Sequence, residues 1–128
     1  MAAYTTIDDP SAYFQNALWT GDGNDNKQIT NDGNSDLKPD WVWIKKRSAT
    51  ASHSWHDSTR GSTIRLRSNN VAGESTESTT VKSFTTDGFT VGTNSGVNGS
   101  SATYVAWQWK ANGGTTATNT DGTLNTVA

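Results

Sequence analysis

The sequence predicts an all-β protein: a single-domain β-sandwich or jelly roll of about seven short antiparallel strands, followed by an extended C-terminal tail. Three observations predict this class. Short runs of β-branched and aromatic residues alternate with clusters of turn residues. No segment shows convincing helical periodicity. The length of 128 residues, of which 31% are hydrophobic, suits one small domain with a compact core.

The first 39 residues give the least definite pattern. Asp9 and Pro10 could cap a short helical turn, because Asp is a good N-cap and Pro suits the first helical position. Residues 15–20 could begin the first strand. Residues 21–39 are mostly Gly-, Asn- and Asp-rich loop, with one possible short strand at 27–30.

The clearest strand covers residues 40–47. It carries Trp41 and Trp43 on one side and two aliphatic residues on the other, because side chains alternate along a strand. A strand with two apolar faces is typical of the middle of a layered structure, covered on both sides. Residues 53–57 then predict the next strand.

The strand at residues 63–67 shows an alternating pattern. Alternation predicts that Ile64 and Leu66 point inward, while Arg65 and Arg67 point outward.

The C-terminal half of the domain contains a hairpin and a closing strand. Residues 80–84 and 89–93 flank a Thr-Asp-Gly turn at 86–88, which is the best hairpin signal in the chain. Residues 102–110, with a second Trp-x-Trp pair, form the closing strand. The predicted core consists of large apolar side chains: Trp43, Ile64, Leu66, Phe84, Phe89, Val91, Trp107 and Trp109.

Residues 112–128 differ from the sandwich domain assigned to residues 1–111. They carry one charge, and Leu124 and Val127 are their largest apolar groups. Such a segment has too little to bury to order itself alone. We expect it to dock on a neighbouring subunit by strand addition or in a groove, which predicts a homo-oligomer or a larger assembly.

Composition excludes several classes of protein. The absence of cysteine excludes disulfides, thiolate catalysis and Cys-bound metals. The net charge of -2 and the lack of a basic tail or nucleic-acid motif argue against nucleic-acid binding. No apolar run approaches the ~20 residues that a membrane-spanning helix needs, and the first residues show no signal-peptide pattern.

Positive charge is concentrated in residues 41–70, which have a net charge of +5 and Asp57 as their only acid. This segregation favours self-association or the binding of an anionic glycan or phosphate. The alternative is a solvated face with intrachain pairs such as Asp57 with Arg60. The candidate basic face consists of Lys45, Lys46, Arg47, Arg60, Arg65 and Arg67.

Two tryptophans and one loop are candidate ligand sites. Trp19 and Trp55 have more polar sequence neighbours, which favours sugar stacking or a contact between subunits. Asp22, Asn24 and Asn26 place oxygen ligands at alternating positions, as calcium loops do, although the glycine expected at the sixth position is absent. No other cofactor is predicted.

The pattern of titratable residues predicts a protein that is not an enzyme. His53 and His56 lie three apart in a predicted strand, where they would face opposite sides. No Gly-x-Ser-x-Gly elbow is present. The only glutamates, Glu74 and Glu77, fall in a polar loop where burial of a catalytic acid is not expected.

Five sequence blocks stand in a fixed order: LKPDWVWIKKRS at 37–48, HDSTRG at 56–61, LRSN at 66–69, SFTTDGFTVG at 83–92 and YVAWQWKA at 104–111. Together they resemble a lectin-like (concanavalin-A/SPRY-like) β-sandwich module of tail-fibre and other virion surface proteins of marine tailed phages. The resemblance covers residues 37–111. It implies a virion or adhesion role and transfers no catalytic residue.

These observations together predict a non-enzymatic structural or adhesion protein of a phage virion. It would be a tail-fibre, receptor-binding or capsid-surface component, assembled in the host cytoplasm with copies of itself or with other virion proteins. The alternatives are a carbohydrate-binding lectin-like module that recognises a host surface glycan, and a subunit of an extracellular filament. Neither nucleic-acid binding nor membrane insertion is expected.

Overall fold

The computed structural model describes residues 8–111, together with the backbone of two short strands further along the chain. The described part is nearly all β-structure. Its elements in chain order are a 3-10 turn Pro10–Ala12, β1 Phe14–Thr20, β2 Lys27–Ile29, β3 Trp41–Lys46, β4 Ser54–Asp57, β5 Gly61–Leu66, β6 Ser75–Thr76, β7 Val81–Thr85, β8 Gly88–Val91, α1 Ser95–Asn98, β9 Thr103–Trp109, β10 Thr118–Asn119 and β11 Thr126–Val127.

Nine of these strands form two antiparallel sheets. The large sheet has the order β1-β9-β3-β4-β5-β6, and the small sheet has the order β2-β8-β7. The remaining two strands, β10 and β11, pair with each other. The predicted all-β sandwich class is confirmed. The described domain has nine strands where about seven were predicted, and the shortest, β6, is only two residues long.

Both sheets contribute to one core. It contains small and aliphatic side chains together with a single phenylalanine: Ala17, Ile29, Val42, Ile44, Val81, Phe89, Val91, Val97 and Ala106. The predicted core positions Phe89 and Val91 are fully buried there, and Phe84 is partly buried against the same cluster. The core therefore fills the space between the two sheets, with α1 supplying Val97.

The prediction that Trp43, Trp107 and Trp109 belong to this core is wrong. Strand alternation buries Val42 and Ala106 instead, so the indoles lie on the opposite side of the large sheet. At these positions β3 and β9 turn the smaller apolar side chains toward the space between the sheets.

The prediction for β5 is also wrong. Ile64 and Leu66 are only half-buried and lie outside the core, whereas Arg65 is buried. The pairing of β5 with β4 shifts register between Trp55 and Asp57. Alternation still holds at these three residues, but the strand turns its other side inward: Leu66 lies opposite Trp55 on the outer side of the sheet, and Arg65 faces the core side.

Two short helical segments flank the sheets. The 3-10 turn begins after Asp9, whose side chain accepts a hydrogen bond from the Ser11 backbone nitrogen at 2.9 Å, as the sequence suggested. The helix α1 lies between β8 and β9, where no helix was predicted, and Asn94 caps it by accepting from the Gly96 nitrogen at 2.8 Å. Neither segment of the described chain has the length and apolar character of a membrane-crossing helix.

Candidate functional site

The outer side of the large sheet carries five of the six tryptophans of the chain. They project from β3, β4 and β9, away from the core, and all are half-buried. We call this surface the aromatic face; it consists of Trp41, Trp43, Trp55, Trp107 and Trp109, with Phe14 at its β1 end.

Strand register arranges the aromatic face in two rows that run across the sheet. In the first row, Phe14 lies opposite Trp109, which lies opposite Trp41. In the second row, Trp107 lies opposite Trp43, which lies opposite Trp55. Directly opposed side chains of neighbouring strands are in contact distance, so the two rows form one continuous aromatic surface.

The rings in these rows pack against one another. Trp41 and Trp109 stack with centroids 4.4 Å apart, while Trp41 and Trp55 meet edge to face at 5.5 Å. Trp43 contacts Trp55 at 5.7 Å and Trp107 at 5.2 Å. These are favoured geometries for aromatic pairs, each contributing about 0.5–1.5 kcal/mol beyond area burial. The rings therefore form a pre-ordered surface.

Polar groups border the aromatic face. Asp57 lies opposite Trp41 in the register of β3 and β4. Its carboxylate accepts from the Arg60 Nε at 2.7 Å, and the same guanidinium reaches Glu74 at 3.3 Å. The predicted Asp57–Arg60 pair is thus present, and it neutralises charge at this border.

The two predicted sugar-stacking residues lie on opposite sides of the large sheet. Trp19 packs against the core, stacks on Tyr104 at 5.3 Å and donates from its indole nitrogen to the Val97 carbonyl at 3.1 Å. It is therefore not an exposed stacking residue. Trp55 lies within the aromatic face, and its buried indole nitrogen has no hydrogen-bond partner among the described residues.

The predicted basic face is not a single surface. Lys45 and Lys46 are consecutive in β3 and point to opposite sides. Arg65 is buried, and Arg67 pairs with Glu77 at 3.1 Å. Together with the neutralisation of Arg60, these placements scatter the positive charge, while Arg47 is exposed just beyond β3. The sequence showed the charge imbalance but not the strand register that separates the cations.

The candidate calcium loop uses its ligand atoms internally. Asp22 accepts from the Asn24 backbone nitrogen at 2.9 Å and from the Lys27 ammonium at 3.0 Å. These bonds, with Asn24 first, lower the pKa of Asp22 to about 2. Asn26 bonds to Asp25 instead. Within the described residues, no group of three His, Cys, Asp or Glu side chains could hold a metal ion.

The histidines also lie apart from each other. The His53 Nδ1 accepts from the Trp43 indole nitrogen at 2.7 Å, at the border of the aromatic face. His56 is fully buried on the core side of β4. Glu74 and Glu77 each pair with an arginine. The structure thus brings none of these groups together into a cluster within the described residues.

The predicted assembly residues Leu124 and Val127, and the predicted docking of residues 112–128, lie outside the residues whose side chains the structure describes.

The aromatic face itself was missed as a site. The sequence predicted that Trp41 and Trp43 point to the same side of their strand, and this is correct; the second pair, on β9, follows the same pattern. The sequence could not tell which apolar side of β3 faces the core. Strand β3 alone holds no signal that would decide this, because both of its sides carry apolar residues.

Comparison with known proteins identifies one family model that matches the chain. No curated protein and no solved structure matches the chain. One family model, described as "Domain of unknown function (DUF7483)", matches residues 9–128 and so spans nearly the whole chain. The chain belongs to this family of domains, DUF7483.

Proposed function

We propose that the chain is a non-enzymatic structural or adhesion component of a tailed-phage virion, and that its aromatic face contacts a neighbouring protein of the particle. The observation that carries this proposal is the outward position of five tryptophans on one side of the large sheet. A contiguous apolar patch on a protein surface commonly marks an interaction site. Tryptophan is also enriched where binding energy is concentrated.

The virion part of the proposal rests on the sequence blocks described above. Two of the five blocks, at residues 37–48 and 104–111, supply four of the five tryptophans of the aromatic face. These blocks form the neighbouring strands β3 and β9. The segments that resemble phage virion modules are therefore the ones that build the candidate binding surface.

Ring geometry favours a protein partner over a sugar. A sugar ring stacks on an open, flat aromatic face, but Trp41 and Trp109 cover one face of each other, and Trp41 also meets Trp55 at 89°. Trp43 has ring neighbours on β4 and β9. Packed rings leave little open flat face for a sugar, whereas Trp is enriched at interfaces between proteins.

Carbohydrate binding is the second candidate function. The half-buried indoles have polar neighbours in the Asp57–Arg60 pair and in exposed Asn16, which lies opposite Trp107. Aromatic side chains next to a few polar groups are typical of ligand sites. Such a site would recognise a glycan by partial stacking on the edge of the aromatic face.

The test uses Trp55→Ala, with Val71→Ala as its matched control. Trp55 lies at the β4 end of the aromatic face, where it contacts both Trp41 and Trp43. Val71, in contrast, is a fully exposed loop residue. Phage particles are assembled with each full-length chain, purified, and probed with antibodies against the folded chain. We expect the wild-type chain and Val71→Ala in the particle, and loss of Trp55→Ala although its circular dichroism remains that of a folded chain.

A glycan screen with the same three chains separates the two candidates. Glycan binding that disappears with Trp55→Ala supports the carbohydrate function. Absence of the wild-type chain from washed particles contradicts the virion proposal, and incorporation of folded Trp55→Ala at the wild-type level contradicts the role of the aromatic face.

A further inference from the structure

Among the described strands, β1 is the long edge of the large sheet. It spans seven residues, Phe14–Thr20, and pairs only with β9 among the described strands. It contains no charged residue and no proline. Natural edge strands are usually kept from pairing by charge, proline, bulges or short length. The opposite edge, β6, is only two residues long, so the two edges differ sharply.

The hydrogen-bond pattern shows which backbone groups face outward. Lys110 donates to the Tyr13 carbonyl at 2.9 Å, and Gly21 donates to the Ala102 carbonyl at 2.8 Å, at the two ends of the β1–β9 pair. In an antiparallel pair, alternate residues direct both backbone groups toward the partner. Odd-numbered residues therefore bond to β9, and even-numbered residues offer N–H and C=O groups at the free edge.

The same even-numbered residues carry exposed side chains. Phe14 is 39% exposed and Leu18 is 64% exposed, and Asn16 and Thr20 are exposed between and beyond them. A cleft of about 210 Å³ lies at the middle of the strand, lined by Asn16 to Leu18 on one side and by Thr30 and Asp32 on the other. The middle of the edge is thus open within the described part of the chain.

We propose that β1 pairs with β1 of a second copy of this chain, antiparallel, around a two-fold axis through Ala17. This pairing joins two large sheets into one continuous sheet of twelve strands. In this register Phe14 lies opposite the partner's Thr20, and Asn16 lies opposite the partner's Leu18. All four outward-facing residues of each strand then find hydrogen-bonding partners.

The side chains of β1 fit a second copy. In this register Leu18 is a diagonal neighbour of both the partner's Leu18 and the partner's Phe14, which lie within reach on the same face. The most exposed apolar side chains of the edge thereby cover each other. No like charges meet between the two β1 strands, because β1 contains no charged residue. An isologous contact of this kind closes as a dimer. The inference does not depend on the virion role.

The first experiment measures solution mass by light scattering over a dilution series of the full-length chain. We expect about twice the chain mass of 13.7 kDa for the wild type, and the monomer mass for Leu18→Lys, because a charge at the edge blocks pairing. Val71→Lys is the matched control, since Val71 is also an exposed apolar residue, and it should remain dimeric. A monomeric wild type, or a dimer that Leu18→Lys leaves intact, overturns the proposal.

The second experiment tests the register. The chain has no cysteine, so Ala17→Cys introduces a single thiol. Directly opposed residues of a non-hydrogen-bonded pair have Cα atoms about 4.5 Å apart, within the range that a disulfide spans. Mild oxidation should cross-link Ala17→Cys into a covalent dimer and leave the control Val71→Cys largely monomeric under denaturing conditions. Equal cross-linking of the two variants, or none at Ala17→Cys, overturns the two-fold register.

Discussion

At the scale of the residue, His56 shows how a buried polar side chain is held neutral. Its Nδ1 donates to the Ser62 carbonyl at 2.7 Å, which leaves Nε2 to accept from the Ser54 hydroxyl at 3.0 Å. Both ring nitrogens are therefore satisfied in one neutral tautomer. Burial, and after it the nearby guanidinium groups of Arg65 and Arg60, lower the pKa of His56 from 6.5 to about 4.

This lowered pKa predicts acid sensitivity. The unfolded chain takes up a proton on His56 near pH 6.5, whereas the folded chain takes it up only near pH 4. The contribution of neutral His56 is therefore fully present above pH 6.5 and is lost as the pH falls toward 4. The loss should be on the order of 3 kcal/mol. Urea unfolding at a series of pH values measures it.

The control for this prediction is His56→Gln, which keeps a donor and an acceptor but does not titrate. Its free energy of unfolding should change less with pH between 6.5 and 4 than that of the wild type. Identical slopes for the two chains would show that His56 does not cause the acid sensitivity.

At the scale of the element, the β7–β8 hairpin was predicted from its turn and is confirmed. Thr85 pairs with Gly88 and closes the turn between them. Gly88 has a φ of +102°, a conformation that residues with a Cβ rarely adopt. Its nitrogen donates to the Leu37 carbonyl at 2.9 Å, so the turn also anchors the chain that leads into β3.

Gly88→Ala should destabilise the protein strongly. The left-handed conformation alone costs about 1–3 kcal/mol for a residue with a side chain, and the added Cβ would collide with the Ile29 carbonyl of β2. Gly73→Ala is the matched control, because Gly73 has open space around its Cβ position, and it should change stability by less than about 0.5 kcal/mol. Urea midpoints compare them; equal midpoints would contradict the role of Gly88.

Elements without a local signal could not be predicted. The helix α1 has four residues, too few for helical periodicity to show. The pairing of β5 with β4 sets Leu66 opposite Trp55 and so turns Arg65 inward; the position of Arg65 is therefore a tertiary property. Gly88 determines the conformation of its turn by itself, so the β7–β8 hairpin could be predicted from the sequence.

At the scale of the whole molecule, the large sheet has two apolar sides and only one is covered by the small sheet. The sequence predicted apolar residues on both sides of β3 and so a position inside a layered structure. The small sheet and α1 pack on the side of Val42 and Ile44. Which side of β3 they cover depends on how the side-chain volumes of seven elements fit together, and no single strand carries that information.

The close packing of the aromatic face has an optical consequence. Indoles whose centroids lie 4.4–5.7 Å apart do not absorb ultraviolet light independently, because their transition dipoles couple. The folded chain should show a pair of circular-dichroism bands of opposite sign that disappears on unfolding. Trp41→Phe should weaken this pair, whereas Trp19→Phe, on the other side of the sheet, should leave it. An unchanged spectrum for Trp41→Phe would exclude such coupling. If the bands weaken as expected, they provide an intrinsic spectroscopic signal for the binding of a partner to the aromatic face.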